Sequence, residues 1–143
     1  PVYKSEGNCI IEKATGTVIK GCNTSVIPQG VKIIGYGAFR KLQAEEIVIP
    51  QGVEIIDEEA FLESTVKKVV LPDTLTEIRR DSFIKCNNIT KIAFPASIKK
   101  IGSRAFLYCQ HLPTLYIPED TEIEKDAFWY ATKIIRVPSQ AAS

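Results

Sequence analysis

The phrase VIPQGVKIIGYGAF at residues 26–39 returns as VIPQGVEIIDEEAF at residues 48–61. The same order of residue types then continues along the chain at spacings of 20 to 23 residues: prolines stand at 28, 50, 72, 95, 118 and 138, and phenylalanines at 39, 61, 83, 106 and 128. A unit this short cannot bury its own apolar positions, so each copy must stack on its neighbours. The repeat therefore predicts a solenoid.

Each repeat predicts one short β-strand just before its proline, because apolar residues alternate there, as in Ile47 and Ile49. Proline ends the strand, since it has no N–H for the ladder. Strands stacked in this way should form a parallel sheet. A second apolar pair, such as Val53 and Ile56, should return inward as a short second strand, and the following Ala-Phe pair should fill the core with a phenylalanine ladder. For the short segment after each phenylalanine we expect a single helical or 3₁₀ turn.

The two ends of the chain depart from the repeat. Residues 1–25 read as two β-rich runs around Thr15-Gly16, which predicts an N-terminal hairpin cap whose two-residue loop places Cys9 opposite Cys22. Residues 26–138 hold five repeats and the start of a sixth, and residues 139–143 form a short polar tail. We expect the parent protein to continue beyond this tail. An uncovered last turn would favour self-association, so a homo-oligomer through that end is a further expectation.

The repeat pattern IPxxVxxIGxxAFxxCxxL resembles the BspA-like leucine-rich repeat family, also called the Treponema pallidum type. Residues 26–138 carry the resemblance, and SFIKCNNITKIAFPASIKKIGSRAFLYCQHL is nearly its consensus. The leading YKSEGNCIIEKATGTVIKGCNTSVIP is similar to the segment that opens such arrays in gut-associated bacteria. The resemblance implies a right-handed leucine-rich repeat solenoid in a secreted or cell-surface protein. It also implies adhesion to host or bacterial surface proteins and glycoproteins, and it supplies no catalytic motif.

Composition and reactive residues favour a binding module over an enzyme. The net charge of +1 gives no reason to expect a nucleic acid partner, and no apolar run approaches the roughly 20 residues of a membrane span. His111 is the only histidine, so a catalytic triad would depend on one loop residue. We expect no enzyme activity, no cofactor and no bound metal.

The four cysteines are interpreted as structural. Cys86 and Cys109 lie one repeat apart without a CxxC or HxxxH companion, which favours stacked core thiols over a disulfide or a zinc site. For Cys9 and Cys22 the sequence leaves a disulfide and two free thiols equally open, because the predicted hairpin brings them together and an exported protein could oxidise them.

The candidate ligand-binding site is the outward face of the strands before the prolines. The residues between the buried positions should point to solvent and tile one face; they are Glu46, Val48, Lys68, Val70, Lys91, Ala93, Thr114, Tyr116, Ile134 and Arg136. Apolar residues flanked by charges are typical of a recognition surface, with Tyr116 as a candidate anchor. The alternative is that strands favour β-branched and aromatic residues even where they face water. A spacer array that binds nothing is therefore the second hypothesis for function, and an enzyme is the third.

Overall fold

The computed structural model describes residues 1–139, and in it the chain coils into stacked turns built from short strands. The strands are β1 (Tyr3–Glu6), β2 (Cys9–Glu12), β3 (Thr17–Lys20), β4 (Ile33–Ile34), β5 (Glu46–Val48), β6 (Ile55–Ile56), β7 (Lys68–Val70), β8 (Glu77–Ile78), β9 (Lys100–Ile101), β10 (Leu115–Pro118), β11 (Glu122–Ile123) and β12 (Ile134–Val137). The predicted solenoid of short parallel strands is confirmed.

The continuous sheet of the solenoid lies after the prolines. Its eight strands run in the order β1-β2-β3-β4-β6-β8-β9-β11, and the last five of them contribute one parallel strand per turn. The runs before the prolines, which the sequence predicted as a stacked parallel sheet, instead form two separate pairs, β5 with β7 and β10 with β12. The expectation of one unbroken sheet before the prolines is therefore wrong, and the interruption shapes the candidate site.

The core is the predicted phenylalanine ladder. Phe39, Phe61, Phe83, Phe106 and Phe128 stack in order, with neighbouring ring centroids 4.9 to 5.3 Å apart and ring planes within 7° of parallel. Small residues one position earlier, such as Ala60 and Ala105, are fully buried and let the turns approach closely. Because Phe61, Phe83 and Phe106 each lie between the rings of two other turns, their burial depends on the stack.

Helical turns do not form after the phenylalanines in residues 1–139. Residues with left-handed backbone angles flank the phenylalanines and interrupt any helix; around Phe83 they are Asp81, with φ 59°, and Lys85, with φ 62°. The backbone instead bonds to the next turn, since Phe83 N–H donates to the carbonyl of Ala105 at 2.7 Å and Lys85 N–H to that of Leu107 at 2.8 Å. The chain after each phenylalanine thus combines isolated turns, such as the one closed by the bond from Cys86 N–H to the carbonyl of Phe83 at 3.2 Å, with bonds to the neighbouring coil. The predicted helical or 3₁₀ turns are not confirmed.

The N-terminal cap extends the continuous sheet over the first turn. β1, β2 and β3 are antiparallel, and β3 then pairs in parallel with β4. Glu12 pairs with Thr17, so residues 13–16 form the loop and the predicted two-residue loop at Thr15-Gly16 is wrong. Gly21 covers the end of the ladder so closely that an added Cβ would lie 2.0 Å from Cε1 of Phe39.

Ion pairs join successive turns of the solenoid. Arg80 meets Glu58 at 2.7 Å and Arg104 meets Asp81 at 2.9 Å, each across one repeat. These charged side chains therefore pair at the surface from one turn to the next. Exposed pairs of this kind contribute little each, so their main effect is to favour one alignment of the turns.

Candidate protein-binding face

The register of the strands before the prolines places two columns of side chains on one outer face. Glu46 pairs with Lys68, Lys68 forms a bridge with Lys91, and farther along Leu115 pairs with Ile134. Thr114 and Lys133, which precede Leu115 and Ile134, are aligned in the same register. These aligned positions form a first column, called the charged column and defined as Glu46, Lys68, Lys91, Thr114 and Lys133. Two residues farther along each strand lies an apolar column, defined as Val48, Val70, Ala93, Tyr116 and Ile135.

Most members of both columns are open to solvent. All five residues of the charged column are exposed, and in the apolar column Val48 is 50% and Tyr116 is 58% exposed while Val70 and Ile135 are half-buried. Lys68 pairs with Glu46 at 3.3 Å, whereas Lys91 and Lys133 have no acidic partner within residues 1–139. The charged column therefore carries a net positive charge next to an apolar strip.

Two residues predicted for this face lie elsewhere. Ile134 is opposite the buried Leu115 and packs on the core, so its predicted outward orientation is wrong. Arg136 is opposite the buried Ile117, and its guanidinium donates to the backbone carbonyls of Pro118, Glu119 and Thr121. The outward positions of this turn are occupied by Lys133 and Ile135. The sequence prediction missed them because it placed the outward residues two and four positions before Pro138, as in the other repeats.

Between the two strand pairs the backbone ladder is interrupted at residues 92–94. The last bond on this side is from the N–H of Val69 to the carbonyl of Lys91, at 3.0 Å. Within the described chain, the backbone N–H and carbonyl groups of Ile92 and Ala93 have no hydrogen-bond partner. The gap opens a slot of about 320 Å³ on the face, lined by Lys68, Val69, Val70, Leu71, Lys91, Ile92 and Ala93.

Two sequence features account for the interruption. The spacing from Phe83 to Pro95 is one residue longer than that from Phe61 to Pro72, which alters the path into the strand position. The residue before Pro95 is Phe94, where the earlier repeats have Ile49 and Leu71. Its ring packs edge-on against those of Phe106 and Phe128, at 5.6 and 6.3 Å. We attribute the separation of the strand pairs to this larger side chain and the longer approach.

The remaining reactive residues lie away from this face. His111 is on an exposed loop, with Nδ1 2.7 Å from the carbonyl oxygen of Asn87. Cys86 and Cys109 are buried free thiols, and each donates to the backbone carbonyl of a phenylalanine at 3.1 Å. Burial raises the pKa of Cys86 well above the usual range of a thiol. Among residues 1–139 no group of three or more potential metal ligands comes together.

Cys9 and Cys22 are free thiols with different surroundings. Cys9 is buried, and this burial raises the pKa of its thiol. Cys22 is exposed, and hydrogen bonds from Thr24 and Ser25 lower the pKa of its thiol. The two thiols are not bonded to each other in the structure, and the disulfide weighed from the sequence stays a prediction. The self-association predicted through the last turn also stays a prediction; Phe128 and Ile134 are half-buried there.

The stacked coils and their phenylalanine ladder define a repeat protein of the solenoid class. The family model for the BspA type leucine rich repeat region matches residues 19–135 in six copies, and the chain belongs to this family. This confirms the resemblance found in the repeats. Leucine-rich repeat families are generally non-enzymatic repeat proteins, serving in protein interaction or as structural repeats.

Solved structures of bacterial leucine-rich repeat proteins are similar to this chain. One from Treponema pallidum is 26% identical with a TM-score of 0.65, and the match covers 85% of this chain and 59% of that one. One from Bacteroides ovatus is 25% identical with a TM-score of 0.65, covering 95% and 39%. One from Bacteroides capillosus, 18% identical with a TM-score of 0.64, covers 94% and 99% and supports the fold alone.

The chain thus spans 59% of the Treponema protein and 39% of the Bacteroides ovatus protein. No curated protein matches the chain significantly in sequence. Within residues 1–139, no helix has the length and apolar character needed to cross a membrane.

Proposed function

We propose that the chain is a protein-binding repeat module that holds a partner protein or glycoprotein against its charged and apolar columns. The observation that carries the proposal is the exposed pairing of these columns on one face, with Tyr116 58% exposed within the apolar column. Tyrosine supplies a large, rigid contact area with a polar tip and is enriched where binding energy concentrates. The family's association with protein interaction supports the same reading.

The proposal extends to where the module works. A secreted or cell-surface protein of a bacterium, adhering to host or matrix glycoproteins, is the setting that the family suggests. Adhesion requires only an accessible, stable surface, and a stack of turns provides one without a catalytic centre. Antibody labelling of intact cells of the source bacterium tests this setting; signal only after lysis would contradict it.

Binding itself is tested by biolayer interferometry of the purified chain against a panel of host matrix proteins and mucins. A Tyr116→Ala, Lys68→Glu double variant removes the anchor and reverses one charge on the face. The matched control, Tyr36→Ala with Lys85→Glu, makes the same chemical changes at exposed residues away from both columns. We expect saturable binding by the wild type and the control, and loss of binding by the face variant.

Two results would contradict the proposal. Equal loss in the face variant and in the control would place the binding elsewhere. Absence of binding across the panel and to bacterial surface proteins would favour a spacer array instead. Circular dichroism of each variant must match the wild type, so that lost binding is not lost folding.

A further inference from the structure

The interruption of the sheet at residues 92–94 leaves polar backbone groups without a partner beside an apolar slot. Backbone N–H and carbonyl groups are almost always hydrogen-bonded in folded proteins, either within the chain, to water or to a ligand. In the neighbouring pair β5 and β7 these groups bond between turns, but those of Ile92 and Ala93 do not. The slot is therefore a place where a ligand can add hydrogen bonds that the protein does not make itself.

The residues that line the slot favour a ligand with an apolar side chain. Val69, Val70, Leu71, Ile92 and Ala93 form most of the lining. Its volume of about 320 Å³ is at the lower end of the range for small-molecule sites, about 300–1,000 Å³. A slot of this size, open along a flat face, suits one or two side chains of a polypeptide better than a cofactor.

The lysines at the rim of the slot favour a ligand with a negatively charged group. Lys68 and Lys91 both border it, and Lys91 has no acidic partner among the described residues. The only carboxylate of the charged column is that of Glu46, which already pairs with Lys68 at 3.3 Å. A carboxylate at the rim would meet the Lys91 ammonium and the N–H of Ala93, which has no partner among the described residues, and bonds between ionised groups and N–H donors are among the stronger ones in proteins.

We propose that the slot between Val70 and Ala93 binds an extended segment of a partner protein that carries an apolar side chain flanked by acidic residues. The apolar side chain enters the slot, and the flanking carboxylates lie against Lys91 and Lys68. This inference rests on the proposed function, because it assigns the chemistry of the partner to one part of the same face. It makes the slot a specificity element within a larger surface.

The test is an NMR titration of the ¹⁵N-labelled chain with three synthetic peptides built on a Gly-Ser background. The first has aspartate-leucine-aspartate at its centre, the second has lysine-leucine-lysine, and the third has aspartate-glycine-aspartate. The amide signals of Leu71 and Ala93 report occupancy, because these residues line the slot on its two sides. We expect saturable shifts with the first peptide, and about tenfold weaker binding of the other two, equivalent to about 1.4 kcal/mol.

Three variants distinguish the slot from general charge attraction. Lys91→Glu should weaken the first peptide about tenfold, while the control Lys85→Glu, at an exposed lysine of the phenylalanine turn, should change its Kd by less than about twofold. Ala93→Tyr fills the slot from an exposed position and should abolish the shifts while preserving the fold. No saturable shift with the first peptide, or an equal effect of Lys85→Glu, would overturn the proposal.

Failure of the slot and failure of the binding module give different results. If Tyr116→Ala with Lys68→Glu abolishes binding of a partner protein but Ala93→Tyr does not, the face binds and the slot does not contribute. If no partner binds the wild-type chain and the first peptide also gives no shifts, both proposals fall.

Discussion

Replacing one ring of the phenylalanine ladder tests whether the fold depends on contact between neighbouring turns. Phe83 is fully buried, and its ring stacks on those of Phe61 and Phe106 at centroid distances of 4.9 and 5.0 Å. A buried phenylalanine removes about 150–250 Å² from water, worth about 4–6 kcal/mol at 25 cal/mol per Å². After the contribution that an alanine methyl retains, Phe83→Ala should cost about 4 kcal/mol, within the usual 3–5 kcal/mol.

The comparison variant is Phe128→Ala, at the C-terminal end of the same ladder. Phe128 is half-buried and stacks on one ring only, that of Phe106 at 5.3 Å. Since part of its surface stays in water and one stacking partner is absent, the expected cost is about 2 kcal/mol. The difference between the two variants reflects the second stacked ring and the deeper burial at Phe83, as expected where stability is a sum over adjacent repeats.

Urea unfolding followed by circular dichroism measures both costs. With a slope of about 2 kcal/mol per molar, Phe83→Ala should lower the midpoint by about 2 M, and Phe128→Ala by about 1 M. If Phe83→Ala fails to fold, Phe83→Leu takes its place in the unfolding experiment. Its free energy of unfolding should fall by about 1.5 kcal/mol. Equal losses for Phe83→Ala and Phe128→Ala, or a loss below about 1 kcal/mol at Phe83, would refute the reasoning.

Three further predictions concern stability. Gly21→Ala should cost about 1–3 kcal/mol in urea unfolding, because its Cβ would overlap the Phe39 ring; a loss below about 0.5 kcal/mol would show that the cap does not press on the ladder. Lys85→Gly should stabilise the chain by about 0.5 kcal/mol, because glycine adopts φ 62° without strain, whereas the same change at Lys32, whose φ is not positive, should destabilise it; thermal melts compare the two. Burial raises the pKa of Cys86, so the folded state retains a proton that the unfolded state loses above the usual pKa of 9.0, and stability must fall as pH rises through that value. The difference in unfolding free energy between wild type and Cys86→Ala should therefore narrow above pH 9, by up to about 1.4 kcal/mol per pH unit, and a constant difference would contradict it.

The stacking of the turns could be predicted from the sequence, because the spacing of the repeat determines which residues align from one turn to the next. Proline and phenylalanine recur at nearly constant spacing, and a ladder such as Phe61 on Phe83 follows once the turns align. Hydrogen bonding between turns was less predictable. Period-2 alternation predicts which side chains of residues 91–94 are buried, but the ladder there also depends on one extra residue and on the size of Phe94.

The candidate face was predicted well where the repeat spacing is constant and poorly where it changes. Glu46, Val48, Lys91 and Tyr116 are exposed as expected, although their role in binding is untested. The error at Ile134 and Arg136 arose because β12 has Val137 opposite Pro118, so proline no longer marks the same strand position. The slot beside Ala93 carries no motif at all, since it results from bonds that are not made.

The most direct measurement of the central claim is site-specific photo-crosslinking from two matched tyrosines. Tyr116 and Tyr36 are 58% and 59% exposed, but only Tyr116 lies in the apolar column. Benzoylphenylalanine placed at either position, followed by irradiation with the bound partner and mass spectrometry, reports which surface the partner covers. We expect adducts from position 116 and none from position 36. Adducts from position 36 alone, or equally from both, would contradict a binding site on the face before the prolines.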